Sequence, residues 1–271
     1  MIDVNGEWIN FTSFPDGTSS LRYSGLNLAH CENISVAWYY SGEEECIQLW
    51  YLTKHLKEMY PKKEFLLYVP YFPNARMDRV KNSDEVFTLK WFAEFINALG
   101  FDEVCVLDPH SDVCTALIDH VVVVSAMPYI ANAMSQISDK NVLLCYPDEG
   151  SAKRYASMLK HEYVFCIKHR DWRTGNIEGL ELTAPEKVSG RNILIVDDIC
   201  SKGGTFTYTA KALKAAGAKE IYLYVTHCEP TIYNGSVLED GLIEKVFTTQ
   251  SIYVGASPKV VTVGKFEGVF D

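Results

Sequence analysis

Residues 192–205 read "NILIVDDICSKGGT". Four aliphatic residues, Ile193 to Val196, run straight into the acids Asp197 and Asp198, and a glycine turn follows at Gly203 and Gly204. A short apolar run with no polar alternation has the pattern of a strand buried on both faces. Phe206, Ala210 and Leu213 then recur at helical spacing up to Gly217, where a helix is expected to stop. A buried strand that turns tightly into a helix is the unit of a parallel α/β sheet, and such sheets bind ligands at the carboxyl ends of their strands.

The same pattern extends along the chain. "ISVAWYY" at 34, "FLLYV" at 65, "VVVV" at 121, "VLLC" at 142, "VFCI" at 164 and "IYLYVT" at 221 are further apolar runs of strand length. Val86, Leu89, Phe92, Ile96 and Leu99 form one helical stripe, which Gly100 closes as a C-terminal cap. Alternating strands and helices predict an α/β fold of mostly parallel sheets flanked by helices. A length of 271 residues suits two domains of about 100 to 150 residues each. No linker rich in Pro, Gly or Ser marks the boundary, which is placed at 136/137 to give domains 1–136 and 137–271.

Hydrophobic residues make up 48% and charged residues 22%, an ordinary globular balance. The formal net charge of −10 would repel a phosphate backbone, so no nucleic-acid partner is expected and any phosphate ligand needs local cations. Eight cysteines are scattered without a C-x-x-C pair, several inside apolar runs, which points to core thiols in a reducing cytoplasm. No apolar run reaches the ~18 residues of a membrane span and no secretory signal opens the chain, so no membrane partner is expected either.

The opening stretch also carries chemistry. Bare main-chain amides at Gly203 and Gly204, with the positive end of the following helix, make an anion cradle. Asp197 and Asp198 cannot bind phosphate, but they can accept hydrogen bonds from the vicinal hydroxyls of a ribose or hold a divalent cation. A ligand with both a ribose diol and a phosphate satisfies both halves. The alternative, less favoured even without further context, is a pair of solvated acids in an ordinary strand-to-helix turn.

"VDDICSKGGT" resembles the ribose-5-phosphate loop shared by phosphoribosyltransferases and ribose-phosphate pyrophosphokinases (PRPP synthetases). The resemblance implies two phosphoribosyltransferase-like domains and places the sugar phosphate on Asp197, Asp198, Ser201, Lys202, Gly203, Gly204 and Thr205. "VPYFPNARMDR" at 69–79 is similar to the pyrophosphokinase ATP segment, which simple phosphoribosyltransferases lack, and implies Arg76 and Asp78 as ATP-binding residues. Tyr71 and Phe72 are expected to offer flat apolar surface there. "LDPHSD" at 107–112 is similar to the family's D-L-H segment and implies His110 beside the ATP phosphates and magnesium, oriented by Asp108.

"YPDEGSAKR" at 146–154 resembles the P-D-x-G-x-x-K/R segment, implying Asp148 near the metal and Lys153 and Arg154 near phosphates. Asp148 followed by Ser151 also reads as a plain helix N-cap. "IKHRDWRTG" at 167–175 resembles the catalytic flexible loop, whose lysine and arginine are matched by Lys168 and Arg170; alternation along an extended segment would point both the same way. "FTSFPDGTSS" resembles a hairpin that reaches the adenine site of an adjacent subunit, with Phe14 and Asp16 matching, so a homo-oligomer, dimer or hexamer, is implied. "YVTHC" at 224 and "KVFTTQSI" at 245 resemble two further family segments.

The implied reaction is transfer of the β,γ-diphosphate of MgATP to the anomeric hydroxyl of ribose 5-phosphate, giving PRPP and AMP. Lys168, Arg170, His110 and Asp198 are the implied catalytic residues, Asp198 as candidate general base, with Mg²⁺ the cofactor. Met77, Thr18 and Lys202 depart from the family pattern. Lys202 adds a cation at the phosphate loop, which keeps open a larger acceptor such as ADP-ribose for the same transfer. A non-catalytic regulatory relative and a PRPP-consuming phosphoribosyltransferase are the other readings.

Overall fold

The computed structural model describes residues 1–22, 27–138, 141–170 and 177–264, with main chain only at 168–170, 177 and 178. The chain divides into two compact units, Met1–Ser125 and Ala126–Asp271.

In the first unit the strands are β1 (Ile2–Val4), β2 (Glu7–Trp8), β3 (Asn10–Ser13), β4 (Ser19–Arg22), β5 (Asn33–Trp38), β6 (Glu64–Val69), β7 (Glu103–Leu107) and β8 (Val121–Val124). The helices are α1 (Glu44–Met59), α2 (Thr88–Leu99) and α3 (Asp112–Leu117). The sheet order is β2-β1-β5-β6-β7-β8; β5 to β8 are parallel, and β1 and β2 extend one edge antiparallel. The β3–β4 pair stands as a separate hairpin. Leu89, Ala93, Ile96 and Leu99 of α2 are buried, and Gly100 caps the helix at φ 70°, ψ 40°. Val86, expected on that stripe, lies before the helix and is exposed.

The second unit contains α4 (Met127–Ser135), β9 (Leu143–Tyr146), α5 (Glu149–Leu159), β10 (Tyr163–Arg170), β11 (Ile177–Leu182), β12 (Ile193–Cys200), α6 (Gly204–Ala215), β13 (Ile221–Cys228), β14 (Lys245–Thr248) and β15 (Val260–Thr262). The order is β11-β10-β9-β12-β13-β14-β15, parallel except for β11 at the edge. Ile193 to Val196 at its centre are fully buried, as two-sided helical cover requires. The division falls at 125/126 instead of 136/137, because Ile130 and Ala133 of α4 pack with Leu144, Val196 and Tyr224 in the second unit's core. All eight cysteines are free and six are buried, where they serve as small core residues. Among the described residues no helix is long and apolar enough to cross a membrane.

Candidate active site

The carboxyl end of β12 meets the N-terminus of α5. Asp148, in extended conformation, caps α5 by accepting the Ser151 amide at 3.0 Å. The Ser151 hydroxyl lies 2.7 Å from Oδ1 of Asp197 and 3.2 Å from Oδ1 of Asp148. A hydroxyl has one proton to give, and the shorter contact is to Asp197. Oδ1 of Asp197 also accepts the Asp198 amide at 3.1 Å. Buried Asp198 receives Nη1 of Arg154 at 2.9 Å on Oδ2. The structure thus brings Asp148, Arg154, Asp197 and Asp198 together, and adds Ser151.

Two carboxylates this close inside a fold cannot both ionise freely. Burial, and then the charge of Asp198, push the Asp197 carboxyl up to about 8; the Ser151 hydrogen bond opposes the rise and the charge of Asp148 adds to it. The surroundings of Asp197 thus place its titration near neutrality. Arg154, expected at a phosphate, is engaged with Asp198, while Lys153 is exposed.

Beyond the acids, β12 continues to Cys200 and the chain turns through Ser201 and Lys202 into α6, which starts at Gly204. Gly203 is the N-cap at φ 77°, and its carbonyl accepts the amides of Phe206 and Thr207. That geometry leaves the Gly204 and Thr205 amides as outward donors of the first turn. Gly203, expected to be bare, is buried: a Cβ there would overlap Val237. Gly204 is exposed, with open space where a Cβ would stand, and Lys202 is exposed beside it.

In the first unit, the ATP-like segment follows β6. Tyr71 and Phe72 are core residues, not an open stacking surface: Phe72 meets Phe92 edge-on at 5.3 Å and Tyr71 lies 6.3 Å from Tyr40. Their burial anchors a turn in which Asn74, at φ 62°, accepts the Met77 amide, and Arg76 projects to the surface. Asp78 lies 3.5 Å from Nε of Arg79. After β7, buried Asp108 adopts φ 43°, a costly conformation for a residue with a side chain, and donates its amide to Val124. His110, two residues on, is half-buried. At the tip of the hairpin Phe14 is exposed, and the Thr18 amide and hydroxyl hold the Asp16 carboxyl below the usual range. Thr18 therefore serves the turn itself.

The main chain of Lys168 and Arg170 lies in β10, opposite Leu180 and Ile177 of β11, with a register shift between His169 and Arg170. Their side chains, and residues 171–175 of the basic segment, lie outside the described residues. The "YVTHC" and "KVFTTQSI" segments meet each other. The carbonyl of Thr226 accepts the hydroxyls of Thr248, Thr249 and Ser251, and Nδ1 of His227 lies 2.7 Å from the Ser251 hydroxyl. They fasten β13 to the end of β14.

Among the described residues, no group of three or more His, Cys, Asp or Glu side chains could hold a metal alone. Asp148 and His110 belong to different units. A half-buried carboxylate at Asp148, close enough to raise the Asp197 pKa, fits a magnesium ion carried mainly on substrate phosphates, with one or two protein ligands.

The parallel sheet with its acid pair and glycine turn falls in the phosphoribosyltransferase class: the phosphoribosyl transferase domain model matches residues 126–251. Within that class the chain belongs to the ribose-phosphate pyrophosphokinase family. The ribose-phosphate pyrophosphokinase of Pyrococcus abyssi is 31% identical over 253 residues, covering 90% of this chain and 82% of its own. That of Sulfurisphaera tokodaii is 29% identical over 256 residues, with 92% and 86% covered. The phosphoribosylpyrophosphate synthetase structure from Mycobacterium smegmatis shares the fold at a TM-score of 0.74 and 18% identity, covering 94% of this chain and 85% of that one.

Proposed function

We propose that the protein transfers the β,γ-diphosphoryl group of MgATP to the anomeric hydroxyl of ribose 5-phosphate. The bond from the anomeric oxygen to the β-phosphorus forms, the bond from that phosphorus to the α,β-bridging oxygen breaks, and AMP leaves. The observation that carries this reading is the run of Asp197 and Asp198 directly into the Gly204–Thr205 amides, in a chain that also has the ATP-like segment. In it, the acid pair accepts hydrogen bonds from the ribose hydroxyls, and the amides with Ser201 and Lys202 seat the 5′-phosphate.

Arg76, Asp78, His110, Lys153, Phe14 and Asp16 are assigned to ATP, the last two toward a neighbouring subunit of a homo-oligomer. Lys168 and Arg170 stabilise charge on the migrating group. Asp197 suits the removal of the anomeric proton, since its carboxyl titrates near neutral pH. Magnesium on the nucleotide would neutralise phosphate charge, with Asp148 of the second unit as a protein ligand. A second reading, transfer to ADP-ribose, is favoured by exposed Lys202, which adds a cation beside the phosphate turn. Incubating the enzyme and MgATP with each acceptor and identifying the diphosphorylated product by mass tests both. Absence of AMP with either would overturn the assignment.

A further inference from the structure

The segment Glu229–Asp240, which follows β13, touches the phosphate turn residue by residue. Glu229 donates its amide to Cys200, and the hydroxyls of Thr231 and Ser201 lie 2.9 Å apart. Gly235 passes so close to the main chain of Lys202 that a Cβ on it would overlap the carbonyl. Val237 fills the space left by Gly203. Thr207, in the first turns of α6, lies 3.0 Å from both the Ser236 hydroxyl and Oδ2 of Asp240. Ile232 and Val237 are fully buried in the core that also holds Cys200 and Phe206, so the segment is fixed to the body of the unit.

We propose that Glu229–Asp240 is a strap that sets the shape of the anion-binding turn, with Thr231 and Gly235 as positioning residues for the phosphate end of the acceptor. The inference rests on residues 201–205 being the acceptor's phosphate site. A turn with two adjacent glycines has many accessible conformations, and only a fixed neighbour selects one. Hydrogen-bond donors act on an anion only when already aimed, so the selected shape decides how well phosphate is held. Gly235 has φ −116° and ψ 179°, which any residue can adopt. Its missing side chain is therefore required by the close approach alone.

The test uses the full-length protein with Thr231→Val, Thr231→Ser and Gly235→Ala. Calorimetric affinities for inorganic phosphate and for ribose 5-phosphate are measured without ATP, beside the affinity for ATP and the melting temperature. Loss of the Ser201 hydrogen bond in Thr231→Val, along with the weaker 3.4 Å contact to Oε2 of Glu229, should weaken phosphate and ribose 5-phosphate binding about three- to tenfold, with ATP affinity unchanged. Thr231→Ser should restore it, and Gly235→Ala should weaken acceptor binding at least as much as Thr231→Val. In turnover, the KM for the acceptor should rise more than kcat falls. Unchanged acceptor affinity in Thr231→Val, failure of Thr231→Ser to restore it, or equal loss of ATP binding would overturn the strap. So would wild-type protein that binds neither phosphate ligand. Failure of the diphosphotransfer reading shows separately, as phosphate binding that responds to the strap without release of AMP.

Discussion

The hydroxyl of Ser151 stands 2.7 Å from Oδ1 of Asp197, tying the first turn of α5 to the end of β12. This hydrogen bond favours the ionised acid against the burial that raises its pKa. Replacing Ser151 with Ala should therefore raise the Asp197 pKa further. The acidic limb of the pH profile of kcat/KM is expected to move to higher pH, and Ser151→Thr should hold it in place. A profile identical to wild type in Ser151→Ala would show that the contact does not tune the acid.

Arg154 covers buried Asp198. In Arg154→Met the carboxylate loses its guanidinium partner, at a cost of about 2–4 kcal/mol. Combining it with Asp198→Asn should recover part of that loss, because the buried charge that the guanidinium faced is gone. Urea unfolding of the two single variants and the double variant measures the coupling.

Asp197 makes stability depend on pH in a defined direction. Its folded pKa of about 8 lies above the ordinary 3.8, so between those values the folded protein holds a proton that the unfolded chain has released. Stability from this group is full below pH 4, falls as pH rises, and levels off above pH 8. The melting temperature of ligand-free protein should drop from pH 6 to pH 8 more steeply in wild type than in Asp197→Asn. Equal slopes would place the Asp197 pKa near its ordinary value.

Lys168→Ala should reduce kcat by at least about 10²-fold with acceptor KM nearly unchanged, as loss of a group acting on the transition state does. Turnover at the wild-type rate would remove Lys168 from the chemistry.

Phe14 is exposed at a hairpin tip with no core role of its own in this chain. Phe14→Ala should leave the melting temperature nearly unchanged and raise the KM for ATP if the tip completes a neighbouring site. Light scattering alongside the assay checks the assembly; a fully active monomer would exclude that role.

Much of the fold is legible because buried parallel strands have a distinctive composition. All seven apolar runs, from "ISVAWYY" to "IYLYVT", are strands, and "NILIVDDICSKGGT" is strand, turn and helix. The strands β1, β2 and β11 are harder to read because they are short or mixed, and β7 because only four apolar residues, Val104 to Leu107, follow Glu103. At the site, the acids and the turn were visible as adjacent residues. Ser151 could have been found from the D-x-x-S spacing that also signals a cap. The strap could not: Thr231, Gly235 and Val237 have no spacing that refers to residues 200–207, and only tertiary packing pairs them. Tyr71 and Phe72 misled for a similar reason, since an aromatic pair reads alike whether it faces a ligand or the core.

Gly203 and Gly235 each leave room for the opposing chain, so the two stretches fit as casting and mould. Transplanting residues 200–207 alone into another scaffold would move the letters without the form. A graft carrying both pieces, with Ile232 and Val237 as its roots, is the smallest unit with which this cradle could be rebuilt elsewhere.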